Sequence, residues 1–167
     1  MGKIWVDIVP GVSPDGSDAK KALTKSVKTD IEEAMTKAIV DGLPSNFSEK
    51  DSDKPKGTRD DYAARAVRLV PEIKMSLETK GAKVETGGKV SVKLEMLKLK
   101  SANESGEYVA QVSTKISGVE KRGAIDDVVV DLAKLLIKEA GMSDMAKKLL
   151  SGSEFKKLAE QRNLPLD

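Results

Sequence analysis

Apolar and polar residues alternate with a period of two through three stretches in the middle of the chain, and with a helical period on either side of them. The first element is short. Ile4, Val6 and Ile8 share one face of a predicted strand over residues 3–9, Trp5 and Val9 share the other, and Pro10-Gly11 ends it. Residues 11–18 read as a loop in which Ser17 or Asp18 caps a helix. Leu23, Val27, Ile31, Met35 and Ile39 fall on one stripe of that helix, and Gly42 is placed to stop it. From Pro44 to Asp61 the chain is polar and without periodicity, which predicts a long mobile loop.

The three alternating stretches follow. Leu69, Ile73, Met75 and Leu77 oppose Glu72, Lys74, Ser76 and Glu78 before Gly81 interrupts the run. After Gly87-Gly88, Val90, Val92, Leu94 and Met96 oppose Lys89, Ser91, Lys93 and Glu95. The register then flips to Leu97 and Leu99, which predicts a bulge near Met96-Leu97. A turn at 103–106 leads to Tyr108, Ala110, Val112, Thr114 and Ile116 on one face, with Gln111, Ser113 and Lys115 on the other. Helical periodicity returns with Ile125, Val128, Val129, Leu132 and Leu136. Ser143 is placed to cap a second helix carrying Met145, Leu149 and Leu150, and Ser153 a short last one with Phe155 and Leu158.

This order predicts an α+β fold of two layers. The expected sheet is four-stranded and mainly antiparallel, built as strand, helix, three-strand meander and closing helices, with the helices on one face. The expected organisation is an α+β domain over residues 1–141, its mobile loop at 44–61, and a C-terminal helical extension over 142–167. The same layout resembles the α/β domains of bacterial envelope accessory proteins, namely the curli-secretion lipoprotein family and the lipoproteins that activate penicillin-binding proteins. The likeness covers residues 3–140 and is carried by Ala66-Val67-Arg68-Leu69-Val70 with the meander after it. The lipid-bearing cysteine of those proteins is absent here, and the resemblance assigns no functional residue.

Composition narrows the chemistry. The 167 residues include no histidine and no cysteine, which excludes an imidazole base, a thiol nucleophile, a His/Cys zinc site and disulfides. Only 3% of residues are aromatic, so the core must be aliphatic. Charged residues make up 34% and nearly cancel, to a net +2, so no long-range field for gathering nucleic acid is expected. There is no apolar run long enough to span a bilayer, and the short N-terminal strand is unlike a signal peptide. Compartment stays open: cytoplasmic as the chain stands, or periplasmic or envelope-bound if an export segment has been removed.

The carboxylate pairs Asp60-Asp61 and Asp126-Asp127 could divide acid and base roles, but both sit where acidic groups favour helix starts or end loops. Asp15-Gly16-Ser17-Asp18 and Asp51-Ser52-Asp53 lack the spacing of a calcium loop. Gly81, Gly87, Gly88, Gly118 and Gly123 match no phosphate-binding motif and read as turn glycines at hairpin ends. Asn46-Phe47-Ser48 and Asn103-Glu104-Ser105 fit a glycosylation sequon, which matters only in a secreted eukaryotic protein. No cofactor or metal is expected. On the wet face of the meander, lysines and glutamates on neighbouring strands are expected to pair and cancel, and no stacking aromatic is expected among them.

The partner-binding candidates are Trp5, Lys20, Lys21, Lys25, Lys28, Lys147 and Lys148. The first four lysines crowd the start of the first helix, against its dipole, and the last two form a second basic cluster that could meet an anionic surface. Trp5 is either an exposed anchor or is covered by the C-terminal segment through Phe155 and Leu158, the latter being favoured. The expected function is a non-enzymatic interaction or assembly module, a bacterial cell-envelope accessory protein with a protein partner or self-assembly and no specific nucleic acid. A structural subunit of a phage or other multi-subunit particle is the alternative, and a carboxylate-based hydrolase the third reading.

Overall fold

A computed structural model describes residues 3–57, 64–97, 106–162 and 164. Asp60, Asp61, Leu99 and the 103–105 sequon lie outside the described residues. Among the described residues six strands form one mixed sheet. They are β1 (Ile4–Ile8), β2 (Gly11–Pro14), β3 (Phe47–Ser48), β4 (Ala66–Lys80), β5 (Lys83–Leu97) and β6 (Gly106–Arg122). The order is β3-β1-β4-β5-β6, with β2 continuing along the β4 edge where β1 leaves off. The first half of the sheet is parallel (β1 to β3 and to β4, β2 to β4) and the second half antiparallel. The sheet is therefore wider than the expected four strands and not purely antiparallel.

Both extra strands have a local explanation. Pro10 interrupts the first strand without ending it, because β1 pairs with Ala66–Leu69 of β4 and β2 resumes on Glu72–Met75. The carbonyls of Leu69 and Met75 accept from the amides of Val9 and Asp15, so odd-numbered residues of β4 address this edge. Pro71 lies between them, and its missing N–H falls at the gap between β1 and β2, where no ladder bond is lost. β3 has only two residues and gives no periodicity to read, yet Phe47 and Ser48 are buried.

Among the described residues five helices cover one face: α1 (Ser17–Ala22), α2 (Lys25–Asp41), α3 (Ile125–Ala140), α4 (Met142–Ser151) and α5 (Ser153–Arg162). The single first helix of the sequence reading is two, broken at Leu23. Neither Ser17 nor Asp18 caps it: Gly16 precedes α1 without a side-chain bond, while the Thr24 hydroxyl accepts from the Val27 amide at 3.3 Å to start α2. Odd residues of β4 (Leu69, Ile73, Met75) and even residues of β5 (Val90, Val92, Leu94) meet Ile31, Met35, Leu132, Leu136 and Leu149 in one apolar cluster. The C-terminal helix crosses the sheet end. Phe155 packs edge-on against Phe47 at 5.4 Å, and Arg162 reaches Glu107 at 3.3 Å.

The hairpins set the register. β4 and β5 are joined by Gly81-Ala82, with Lys80 opposite Lys83 and Gly81 at φ 61°. Gly87, Gly88 and Gly118 lie inside strands, not at hairpin ends. A Cβ on Gly88 would run into the carbonyl of Lys74. The irregularities sit on β6: one opposite Thr86 and Gly88, where Gly118 takes φ 73°, and one opposite Leu94 and Glu95. The second replaces the bulge expected at Met96-Leu97 and turns Tyr108 out of the core register, leaving it 59% exposed on the far face.

Helix packing explains one further glycine. Gly42 ends α2 at an ordinary φ of −96°, so conformation does not require glycine there. Packing does, because a Cβ would collide with the Ser143 backbone at the start of α4. Ser143 does not cap α4. Its hydroxyl donates to the Ala38 carbonyl at 2.6 Å and ties the two helices together. Ser153 is the first residue of α5, not a cap before it. Gly42→Ala should therefore cost about 1–3 kcal/mol in urea denaturation, whereas Gly11→Ala, with only the Glu72 side chain 4.0 Å away, should stay within about 0.5 kcal/mol.

Candidate functional site

The face of the sheet away from the helices holds the candidate site, and its chemistry follows from the register. Outward residues line up in rows across the strands. Nearest the β4–β5 hairpin, Lys80, Lys83 and Arg122 stand opposite one another, and next to them Glu78, Glu85 and Glu120. These two rows neutralise each other, with Lys80 on Glu85 at 3.1 Å and Lys83 on Glu120 at 3.6 Å. The Lys80 ammonium donates to the Glu85 carboxylate, which holds its pKa above the usual lysine range. Towards the other end, Asp7, Arg68, Glu95 and Tyr108 form a row across four strands, with Arg68 on Asp7 at 3.0 Å and on Glu95 at 3.9 Å. Lys93 reaches Glu72 at 3.0 Å, and this hydrogen bond raises its pKa.

Between these neutralised zones lies a row that is not neutralised. Lys74 of β4 is opposite Lys89 of β5, and Lys89 is opposite Lys115 of β6. All three are exposed, and among the described residues none makes an ion pair within 4.0 Å. Ser13 of β2 extends the row beside Lys74. The row towards the glutamates is small, with Ser76 opposite Gly87, and the row towards Lys93 holds Glu72, Ser91 and Ser113. The expectation that charges on this face pair and cancel is corrected at this row, since the register sets like opposite like. Directly opposed like charges destabilise a sheet.

One corner of the far face is covered. Trp5 is 7% exposed. Its indole Nε1 donates to the Lys50 carbonyl at 3.2 Å, and the Lys54 ammonium stands 5.2 Å from the ring centroid. Among the described residues the cover is thus the segment 50–54, with a 3-10 turn at Asp51–Asp53, and not the C-terminal helix, whose Phe155 packs on Phe47 at the other face. Ser48 holds this segment: its hydroxyl donates to Asp53, and the Lys50 amide donates to it at 3.2 Å. Beside it, Lys3, Lys54, Lys56, Arg65 and Asp53 line a recess of about 400 Å³.

The other candidates are dispersed over the helical layer. Lys20 and Lys21 occupy the last turn of α1, where the dipole favours cations, so the predicted conflict does not arise there. Lys25 and Lys28 stand in the first turn of α2, and Lys147 and Lys148 on α4, which meets α2 at Ala38 and Gly42, the opposite end. A groove of about 640 Å³ between α2 and the α3–α4 junction mixes Asp30, Lys37, Asp41, Lys134, Lys138 and Asp144. Asp126 and Asp127 lie in the first turn of α3. Among the described residues, no three carboxylates converge to hold a metal ion, and no helix is long and apolar enough to cross a membrane.

No family model matches the chain, and no curated protein is close enough in sequence to count as a match. Solved structures do match its geometry. A Helicobacter pylori protein described as a neuraminyllactose-binding hemagglutinin homolog aligns over 97% of this chain and 89% of its own, at 12% identity and a TM-score of 0.54. That establishes a shared fold. The PelC dodecamer protein of Paraburkholderia phytofirmans aligns over 85% of this chain and 91% of its own at 9% identity and a TM-score of 0.40. A Caulobacter crescentus protein described as a lipoprotein aligns over 91% and 90% at 12% identity and a TM-score of 0.32.

The cover over Trp5 yields a prediction. Ser48→Ala should loosen residues 50–54 at a cost of about 1 kcal/mol, shift Trp5 emission to the red and expose it to acrylamide. Arg162→Ala, at the far end of α5, should leave the emission unchanged. The reverse pattern would place the cover in the C-terminal helix.

Proposed function

We propose that this protein is a non-enzymatic binding module of the bacterial envelope that engages its partner through the helix-free face of its sheet. The observation that carries this reading is the Lys74-Lys89-Lys115 row. Three exposed cations are held in direct opposition on a rigid sheet, while every zone beside them is neutralised by local ion pairs. Like charges aligned this way lower the stability of the free protein and are offset when an anionic partner arrives.

The envelope assignment is supported by the fold shared with the Helicobacter pylori hemagglutinin homolog and by the layout resemblance to envelope accessory lipoproteins. A catalytic reading has less behind it. The paired carboxylates at Asp126-Asp127 serve a helix start, and among the described residues the charged groups that meet do so in cross-strand ion pairs and in the strand-to-helix pairs Lys121–Asp131 and Arg162–Glu107.

Amine acetylation, followed residue by residue in the presence of isolated sacculi, outer-membrane vesicles and extracted capsular polysaccharide, tests the proposal. Retention by at least one fraction, with Lys74, Lys89 and Lys115 protected and Lys20, Lys21, Lys147 and Lys148 still labelled, is the expected result. Retention with the helical lysines protected instead, or no retention by any fraction, would contradict it.

A further inference from the structure

Resting on that reading, we infer that the lysine row is a docking site for an acidic polysaccharide, one whose carboxylate-bearing sugar rings lie across the strands. Three features of the row select this chemistry. The first is spacing. Neighbouring strands stand about 4.8 Å apart, so Lys74, Lys89 and Lys115 present cations across about 10 Å at a repeat close to the length of one pyranose ring. A polymer with one carboxylate per ring keeps that repeat.

The second feature is the surround. Ser13 lies in the row, with Ser76 and Gly87 on one side and Ser91 and Ser113 on the other. Ser91 is buried and the Ser76 hydroxyl donates to the Gly87 carbonyl at 3.2 Å, which leaves the exposed hydroxyls of Ser13 and Ser113 beside the lysines. Serine hydroxyls both donate and accept, which suits the hydroxyls of a sugar ring flanking its carboxylate. The third feature separates a glycan from a nucleic acid. Single-stranded nucleic acids are held by stacking aromatics next to the cations. Among the described residues the exposed aromatic of this face is Tyr108, which pairs with Glu95, six residues and about 20 Å along β5 from Lys89, and Trp5 is covered by residues 50–54.

Charge also sets the orientation. A polyanion that runs along the strands leaves the row for the Lys80–Glu85, Lys83–Glu120 and Lys93–Glu72 pairs, which neutralise one another and offer it no further attraction. A chain lying along the row, perpendicular to the strands, meets lysines at each step.

The test is isothermal titration of the full-length protein with polygalacturonate, with dextran, single-stranded DNA and polyphosphate as comparison probes. Binding to polygalacturonate should weaken as salt rises and fall roughly tenfold in a Lys74→Gln/Lys89→Gln/Lys115→Gln variant. The same change at Lys20, Lys21 and Lys147 should leave it unaltered. Dextran should not bind. Binding of DNA or polyphosphate as tightly as polygalacturonate would overturn the inference, since any polyanion would then serve. So would an unchanged affinity in the triple variant with its thermal unfolding intact. Absence of polygalacturonate binding, together with row-protected retention on envelope fractions, would overturn the acidic-sugar identity while leaving the binding-module reading in place.

Discussion

The register of the long β4–β5 hairpin decides both what this molecule buries and what it displays. Once Gly81-Ala82 turns the chain and sets Lys80 against Lys83, every later pair along fifteen-residue strands is determined. A slip of one residue would exchange the two faces. The inner face then matches aliphatic residue to aliphatic residue under α2, α3 and α4. On the outer face the same register sets cation against cation at Lys80-Lys83-Arg122 and Lys74-Lys89-Lys115 and glutamate against glutamate at Glu78-Glu85-Glu120, while Arg68 falls between Asp7 and Glu95. The core stabilises this register strongly enough to tolerate the repulsion outside. Burying side chains such as Leu69, Ile73, Val92 and Leu94 is worth about 1.5–3 kcal/mol each, while an opposed like-charge pair on a wet face costs about 0.2–1 kcal/mol.

The proline and glycine positions serve that register. Pro71 sits where the neighbouring strand is already interrupted at Pro10, so its missing donor loses no ladder bond. Gly88 admits the backbone of β4, and Gly118 takes the left-handed conformation that lets β6 insert a residue and still place Lys115 opposite Lys89. On the helical side, Gly42 and Ser143 bring α2 and α4 into backbone contact. The C-terminal helices thereby join the same core as the sheet.

Much of this was legible in the sequence, and what was not has identifiable causes. Alternation assigned β4 and β5 their faces, and the helical period found α3 and α4, because both signals repeat over many residues. Alternation says which residues share a face, but not which residue stands across the ladder. The turn was read near Gly87-Gly88 as well as Gly81. Pairing outward from a two-residue turn at Gly81-Ala82 would have set Lys74 against Lys89. Lys115 was out of reach, because its place depends on a β6 irregularity that only Gly118 hints at. The same strand misled about Tyr108, whose alternation points inward until the bulge near Val109 reverses it. Thr24 was missed as a cap because the apolar stripe runs through the break at Leu23. Trp5 was correctly expected to find cover, but its lid is the polar segment 50–54, whose hydrogen bonds leave no hydrophobic pattern.

The central claim is that the sheet holds three lysines in mutual opposition at a cost to its own stability. Chemical denaturation of Lys89→Glu at low ionic strength measures this directly, because the substitution converts two repulsive cross-strand pairs into attractive ones. The account predicts a gain of about 0.5–2 kcal/mol that shrinks as salt is added. An unchanged or lowered stability would show that the three ammonium groups do not oppose one another, and would contradict it.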